Sequence, residues 1–514
     1  MLNQLLNYEK TYLLAFGLIT SCQSPDEISE TSSNFENYNA RTTTSSLVTL
    51  EEAKSIALRQ RPIGSDPLQP DPCSGVQFPI FTPQQVEKVI TILDKNSNPT
   101  MCLFNADTSR FLLLSASKLE EPILAFSTEA SFEMEDMPRD LAIWLDLGIT
   151  KISQFNKMNY YYDLSVYDSW NALGINSPAS DYFIGDRNGI PVFIDWPTFT
   201  RENVGCPYIK EETKTEPLLD NIMWGQGLGY NESQDFYNDS NYTEYAEGKC
   251  SSMPSNNKFL AGCTFVAFGQ IMKYHNDFGD VNLQGNDVVE NVSVYTTSQT
   301  AGVSLLMKGL YDLTQGTTRN CSKGTGAHIY KVADVLRSNT LPYKYSSAHY
   351  VSNMNTLLMW ENIVENSLPV VLCGYSVKPE NSTTINIKVL INNREQVFGT
   401  KIEGGHAWVC DGYLEQYQKV KVTNNTTNEV SFQEEFKQEF WHMNWGWHKA
   451  GQTFASNNGW YRDGLFKPHG QDNGTDLIDF NDLRGYDVNG DGVNESSYHQ
   501  GYYYNRSMVI NIKP

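Results

Sequence analysis

A chain of 514 residues with 40% hydrophobic and 12% aromatic side chains carries material for two packed cores and is too rich in large apolar groups to be largely disordered. Its formal charge of -22 argues against nucleic acid as a partner, because phosphate would be repelled. Beyond the N-terminal end, no stretch is apolar for long enough to cross a bilayer.

Residues 1–22 concern destination rather than fold. Leu13 to Ile19 is apolar but too short to span a membrane, as in a secretion signal, although Lys10 is the only basic group ahead of it and Glu9 offsets it. Ile19-Thr20-Ser21-Cys22 looks like a bacterial lipoprotein box, with Cys22 as the lipid-bearing first residue of the mature chain. The expected destination is therefore secretion, as a cell-surface or outer-membrane lipoprotein of a bacterium, with simple cleavage and release as the alternative. Residues 23–45 are polar, acidic and poor in large apolar groups, which predicts a disordered tether.

Residues 46–205 read as a small α+β block. Thr49 with Glu52 three residues on forms a capping box ahead of Ala53, Ile56, Ala57 and Leu58, so a helix begins there. Met101–Phe104, Phe111–Ser115 and Pro122–Phe126 read as short strands. Leu141, Trp144, Leu145, Gly148 and Ile152 then recur at helical spacing. Residues 206–216, ending in the polar run Lys210 to Glu216, read as a linker.

In residues 217–514 the chemistry turns on Cys263, which stands directly before the helix-like run Val266 to His275. Phe265, Phe268 and Met272 give that helix an inward apolar stripe. A thiol at a helix start faces unpaired N–H groups and the positive end of the helix dipole, which favour the thiolate, the nucleophilic form. A small buried hydrophobe is the plainer reading of any one cysteine, so partners must decide. A nucleophilic cysteine needs an imidazole to hold its proton and a polar group to fix that imidazole. His406 follows the diglycine Gly404-Gly405 at the head of an apolar, strand-like run, and Asn444 lies among Trp441, Trp445 and Trp447. Cysteine, histidine and asparagine thus occur in the chain order of papain-like proteases.

Gly262-Cys263 with Gln270 to His275, Gly405-His406-Ala407 with Asp411-Gly412-Tyr413, and Asn444-Trp445-Gly446-Trp447 together resemble the streptopain family of bacterial cysteine endopeptidases, peptidase family C10. Leu218-Leu219, Trp224-Gly225-Gln226-Gly227 and Tyr230-Asn231 resemble that family's mature start, and Tyr504 to Pro514 its closing strand. The resemblance implies an α+β, papain-like fold of two subdomains, one helical and one an antiparallel sheet. It implies Cys263 as nucleophile, His406 as its base, Gln226 as the side-chain donor of the oxyanion hole, Asn444 as the orienting group and Trp445 lying over the imidazole. Residues 46–205 resemble the streptopain propeptide, notably in Phe111 to Ser117 and Glu121 to Ser127, which implies a zymogen whose own propeptide inhibits it. Activation is then expected from a cut between about Gly205 and Pro217. Protein or peptide substrates are expected as partners, with membrane contact only through the lipid on Cys22.

Two features depart from the family pattern. His448-Lys449-Ala450-Gly451 replaces the glycines expected after Trp447, and an insertion from Ser376 to Glu403 reads as an added hairpin, with Ile385–Ile391 and Val397–Ile402 flanking a polar turn. They leave two alternatives: a catalytically silent peptide-binding surface protein of the same fold, and a Cys–His amidase acting on cell-wall peptides. Ser322 to Ala327 resembles the family's glycine-rich segment near the cleft, where bare backbone would pair with an extended peptide. The nine cysteines form no paired pattern; Cys206 and Cys250 are the one bridge considered, and buried thiols are favoured. No cofactor is expected and no metal spacing stands out. Asp487, Asn489 and Asp491 match the first positions of a calcium loop, but Tyr498 stands where the bidentate carboxylate belongs, so a solvated acidic turn is the preferred reading.

Overall fold

The computed structural model describes residues 46–58, 81–106, 109–135, 137–156, 182–187, 190–194, 199–203, 213–236, 255–278, 288–290, 297–314, 318–320, 324–338, 345–377, 384–401, 405–424, 430–450, 455–462 and 503–514, with 79, 166, 169, 170, 173, 175, 427 and 452 as single positions. The signal and lipoprotein box, the tether, Cys206, Cys250 and the acidic loop with Asp487, Asn489 and Asp491 lie outside the described residues.

The N-terminal block begins with α1 (Leu50–Leu58), whose predicted box is closed: the Glu52 amide donates to Thr49 Oγ1 at 3.2 Å and the Thr49 amide to Glu52 Oε2 at 2.8 Å. After the short helix α2 (Pro83–Val86) come β1 (Ile90–Leu93), β2 (Pro99–Ala106), β3 (Arg110–Ser115) and β4 (Ile123–Ser127), an antiparallel meander, and then α3 (Arg139–Phe155). Every side chain of β4 is buried, and α3 buries Leu141, Trp144, Leu145, Ile149 and Ile152. A run buried on both faces is what a central strand requires. The connecting chain holds β5 (Tyr182–Arg187), β6 (Ile190–Ile194), β7 (Phe199–Asn203) and β8 (Thr213–Thr215).

Helical packing dominates the next part: α4 (Cys263–His275), α5 (Thr297–Leu313), the strands β9 (Thr318–Asn320) and β10 (Gly324–Gly326), and α6 (Ile329–Arg337). Around α4 gathers a core of Phe265, Phe268, Ile271, Leu306, Leu310 and Val332, which also receives Val371, Ala407 and Val409 from the sheet. The sheet part follows with β11 (His349–Val351), α7 (Thr356–Trp360), β12 (Val370–Val377), β13 (Thr384–Ile391), β14 (Arg394–Lys401), β15 (Gly405–Asn424), β16 (Val430–Asn444), β17 (Gly459–Arg462) and β18 (Tyr503–Ile510). The molecule is α+β, with a helical part and a large antiparallel sheet.

One 14-stranded sheet joins both halves of the chain, in the order β11-β18-β12-β15-β16-β17-β4-β3-β2-β1-β13-β14. β7 and β8 lie off that path, each against β15. The last residues of the predicted linker are therefore strand: Thr213–Thr215 pairs with Glu415 to Tyr413, and the Leu218 amide donates to the Asp411 carbonyl at 2.8 Å. Close approach at the β17–β4 seam depends on Gly459, where a Cβ would stand 2.6 Å from the Phe126 carbonyl oxygen. The insertion is a hairpin as predicted, but its turn is only Asn392-Asn393, both at positive φ (49° and 61°), the conformation a two-residue type I′ turn demands and asparagine tolerates.

Candidate active site

Local chemistry places the thiol. Cys263 opens α4 behind Gly262, whose φ is 98°; a Cβ there would lie 2.8 Å from the Thr325 carbonyl oxygen. The glycine-rich segment thus lies beside the start of α4, and Thr264 Oγ1 donates to the Ala327 carbonyl at 2.9 Å. Here the room that Gly262 leaves is filled by this chain's own backbone at β10.

On the other side stands β15. Its Ala407 backbone lies close enough to bear on the Cys263 thiol, which brings the residue next to His406 near the helix start. The Gln226 carbonyl accepts from the Ala261 amide at 2.8 Å, two residues before the thiol, and the segment is held to α4 by the Trp224 amide donating to Gln270 Oε1 at 3.0 Å. Gly269 lets the Trp224 ring lie against the helix, 3.0 Å from where a Cβ would be. Sequence positions 226, 263 and 406 are thereby gathered at one place.

The imidazole is held differently from expectation. His406 Nε2 donates to the Trp445 carbonyl at 3.0 Å, while Asn444 uses its side chain elsewhere, donating from Nδ2 to the Ile222 carbonyl at 3.0 Å and accepting at Oδ1 from the Gly446 amide at 3.2 Å. Asn444 therefore does not orient His406 in this form. Nor does the Trp445 ring cover the imidazole: Trp408 lies parallel to it, with centroids 6.1 Å apart and 10° between planes, and Trp447 meets it edge-on at 5.3 Å. Trp445 stacks on Trp408 at 5.2 Å and meets Tyr461 edge-on at 5.5 Å, and Tyr461 in turn meets Trp144 of α3 at 5.1 Å. A run of aromatic rings thus connects the N-terminal block to the imidazole.

Electrostatics match a resting site. Burial lowers His406 to about 3, and the Arg139 guanidinium at the start of α3 pushes the same way, outweighing the hydrogen bond to Trp445. Burial likewise raises the Cys263 thiol; the Ala407 hydrogen bond and Arg139 oppose this and do not overcome it. Both groups are neutral at pH 7. Arg139 and Asp140 of the N-terminal block are close enough to bear on the thiol, a proximity that no local pattern announces.

Beside this site Asp411, nearly wholly buried, joins three parts of the chain. Its Oδ2 accepts from the Leu219 amide at 3.0 Å and its Oδ1 meets His442 Nδ1 at 2.7 Å, while His442 Nε2 meets Glu129 Oε1 at 2.6 Å. Although its own burial opposes charge, the two carboxylates raise His442 to about 10, so it is an imidazolium clamped between the N-terminal block and β15. A β-bulge at Cys410/Gly412 makes this register, and Gly412 is needed there, since a Cβ would stand 2.8 Å from that of His442. The replaced loop after Trp447 is anchored by His448, whose ring meets the Tyr230 hydroxyl through Nδ1 and the Gln452 carbonyl at 3.0 Å through Nε2. Among the described residues no cluster of side chains could hold a metal ion, and no helix is long and apolar enough to cross a membrane. Cys102 is a buried thiol pushed up to about 12, chemically inert.

A helix-start thiol with a histidine strand against it, shut in by an N-terminal α+β block, defines a thiol peptidase in zymogen form. Residues 224–461 match the model of the peptidase C10 family and residues 45–152 that of the Spi protease inhibitor. Residues 224–461 are thus a peptidase C10 domain, and the chain is a cysteine-type endopeptidase made with a propeptide inhibitor domain. Two solved structures are similar: a cysteine-to-alanine variant of a prointerpain A fragment from Prevotella intermedia, at 15% identity and TM-score 0.42 over 83% of this chain and 100% of that one, and active wild-type interpain A from the same organism, at 15% and 0.32 over 59% and 96%. No curated protein matches the chain.

Proposed function

We propose that the chain is an exported, lipid-anchored endopeptidase zymogen in which Cys263 and His406 become a thiolate–imidazolium pair once the N-terminal block leaves. The observation that supports this reading is the placement of Cys263 at the start of α4, which packs against the Trp445–Gly446 turn whose carbonyl holds His406, with Arg139 of the N-terminal block acting against the imidazolium. Departure of the block removes the guanidinium and lets water back, and both changes raise His406 toward its ordinary value. The Cys263 sulfur then attacks the scissile carbonyl carbon and the carbonyl electrons move to oxygen. Collapse expels the amine, which takes its proton from His406, and leaves a thioester. Water, giving its proton to His406, hydrolyses that thioester and restores the thiol.

The oxyanion is held by the Cys263 amide and the Gln226 side chain. Replacing Gln226 with alanine is expected to lower kcat by about 10²–10³-fold with KM little changed, because the donor acts on charge that exists only in the transition state. Steady-state hydrolysis of a peptide by the processed enzyme measures this, and an unchanged kcat would remove Gln226 from the site. The domain division 46–205, 206–216 and 217–514 carries the zymogen reading, with the activating cut in the stretch ending at Glu216. Anchoring rests on the Cys22 box; palmitate labelling that persists in Cys22→Ser would defeat it.

A further inference from the structure

We propose that the inserted hairpin β13–β14 is a clasp that keeps the propeptide bound after the connecting chain has been cut, so that the severed block stays in place as a noncovalent inhibitor. This rests on the reading of that block as the inhibitor. The propeptide strands β4-β3-β2-β1 are interior strands of the shared sheet. β17 pairs with β4 on one side and β13 pairs with β1 on the other, Thr91 to Leu93 lying against Leu390 to Lys388. Both edges of the inhibitor are thus filled by strands from beyond the cut. Severing the linker breaks neither ladder.

The hairpin also reaches into the inhibitor's core. Along β13 the burial alternates, and Ile385, Ile387 and Val389 are at most 2% exposed within the cluster that holds Ile92, Met101, Leu103, Leu145, Ile149 and Ile152. On its outer side a polar hook adds to the hold. Lys388 Nζ donates to Ser97 Oγ at 3.2 Å and pairs with Glu395 at 3.1 Å, and Ser97 Oγ donates to Glu395 Oε2 at 3.1 Å. Because Lys401 ends the hairpin only a few residues before His406, the state of the clasp is tied to the strand that bears the imidazole. Opening it is a second step of activation, distinct from the cut.

The test uses the full chain with Cys263→Ala and a cleavage site for an unrelated protease inserted between Gly205 and Thr213. After complete cutting, the two pieces should co-elute on size exclusion. Replacing 384–401 by a short Gly-Ser turn, or Ile387→Ser with Val389→Ser, should speed release at least tenfold on dilution. Lys388→Ala with Glu395→Ala leaves the core untouched and should speed it about two- to fivefold, which decides the matter if the other variants fail to fold. Immediate separation of the unaltered pieces, or equal release rates in all variants, overturns the clasp. Because retention is read without turnover, the inhibitor reading is judged separately: wild-type protein cut at the same site, still associated yet fully active, would sink that reading and leave the clasp standing.

Discussion

Replacing Cys263 with alanine should reduce peptide hydrolysis by at least about 10⁴-fold and leave the chain as its unprocessed form, while the fold is unaffected. The magnitude follows from removing the nucleophile: what remains is the oxyanion site and substrate binding, and neither forms the thioester. The fold should survive because the change removes a single sulfur atom and leaves the backbone of α4 and its apolar stripe intact. Casein hydrolysis and N-terminal sequencing of the purified product check both halves. Normal maturation of the variant would remove self-cleavage from the account, and residual activity blocked by iodoacetamide would move the nucleophile to another cysteine.

The second large effect is expected at His442. Exchanging it for leucine should destabilise the zymogen by about 3–5 kcal/mol, because Asp411 would be left as a buried charge with no cation beside it. Glu129 is half-exposed, so its share of the clamp is screened and smaller. The pH dependence has a definite sign. Burial raises Glu129, but the His442 charge outweighs it and holds the carboxyl below its ordinary range. Its contribution is present above about 4.5 and is lost as pH falls through the lowered value. The folded His442 stands at about 10, so its contribution is complete below the ordinary histidine value of about 6.5 and fades as pH rises toward 10. Denaturant unfolding of the unprocessed Cys263→Ala chain should therefore show greatest stability near pH 5–6, and the double variant with His442→Leu should lose that maximum.

Local physics makes the helix that begins at Cys263 readable from the sequence. A glycine before a cysteine before an i, i+3, i+7 apolar stripe specifies a helix start with a thiol at its positive end, and α4 begins at Cys263. The capping box at Thr49, the three propeptide strands and the helix of Leu141 to Ile152 were equally legible, because each depends on neighbours within one or two turns. Period two also revealed β13 as a strand. It could not reveal the partner of β13, since pairing with β1 is set by tertiary packing, across almost 300 residues of chain. The same limit hid the site's resting state. Arg139 acts on His406 through space, Trp144 reaches it through Tyr461, Trp445 and Trp408, and Asn444 turns to the Ile222 carbonyl because that buried acceptor needs a donor. No local pattern marks His442; the carboxylates that charge it come from the bulge at Gly412 and from a propeptide turn.

The rate of alkylation of Cys263 by iodoacetamide against pH, measured on the intact chain and on the processed enzyme, tests the central claim most directly. In the intact chain the thiol should react only at strongly alkaline pH, as burial dictates, and in the processed enzyme it should react from acid pH upward with a second step as His406 titrates. A single ordinary thiol titration, identical in both forms, would contradict it.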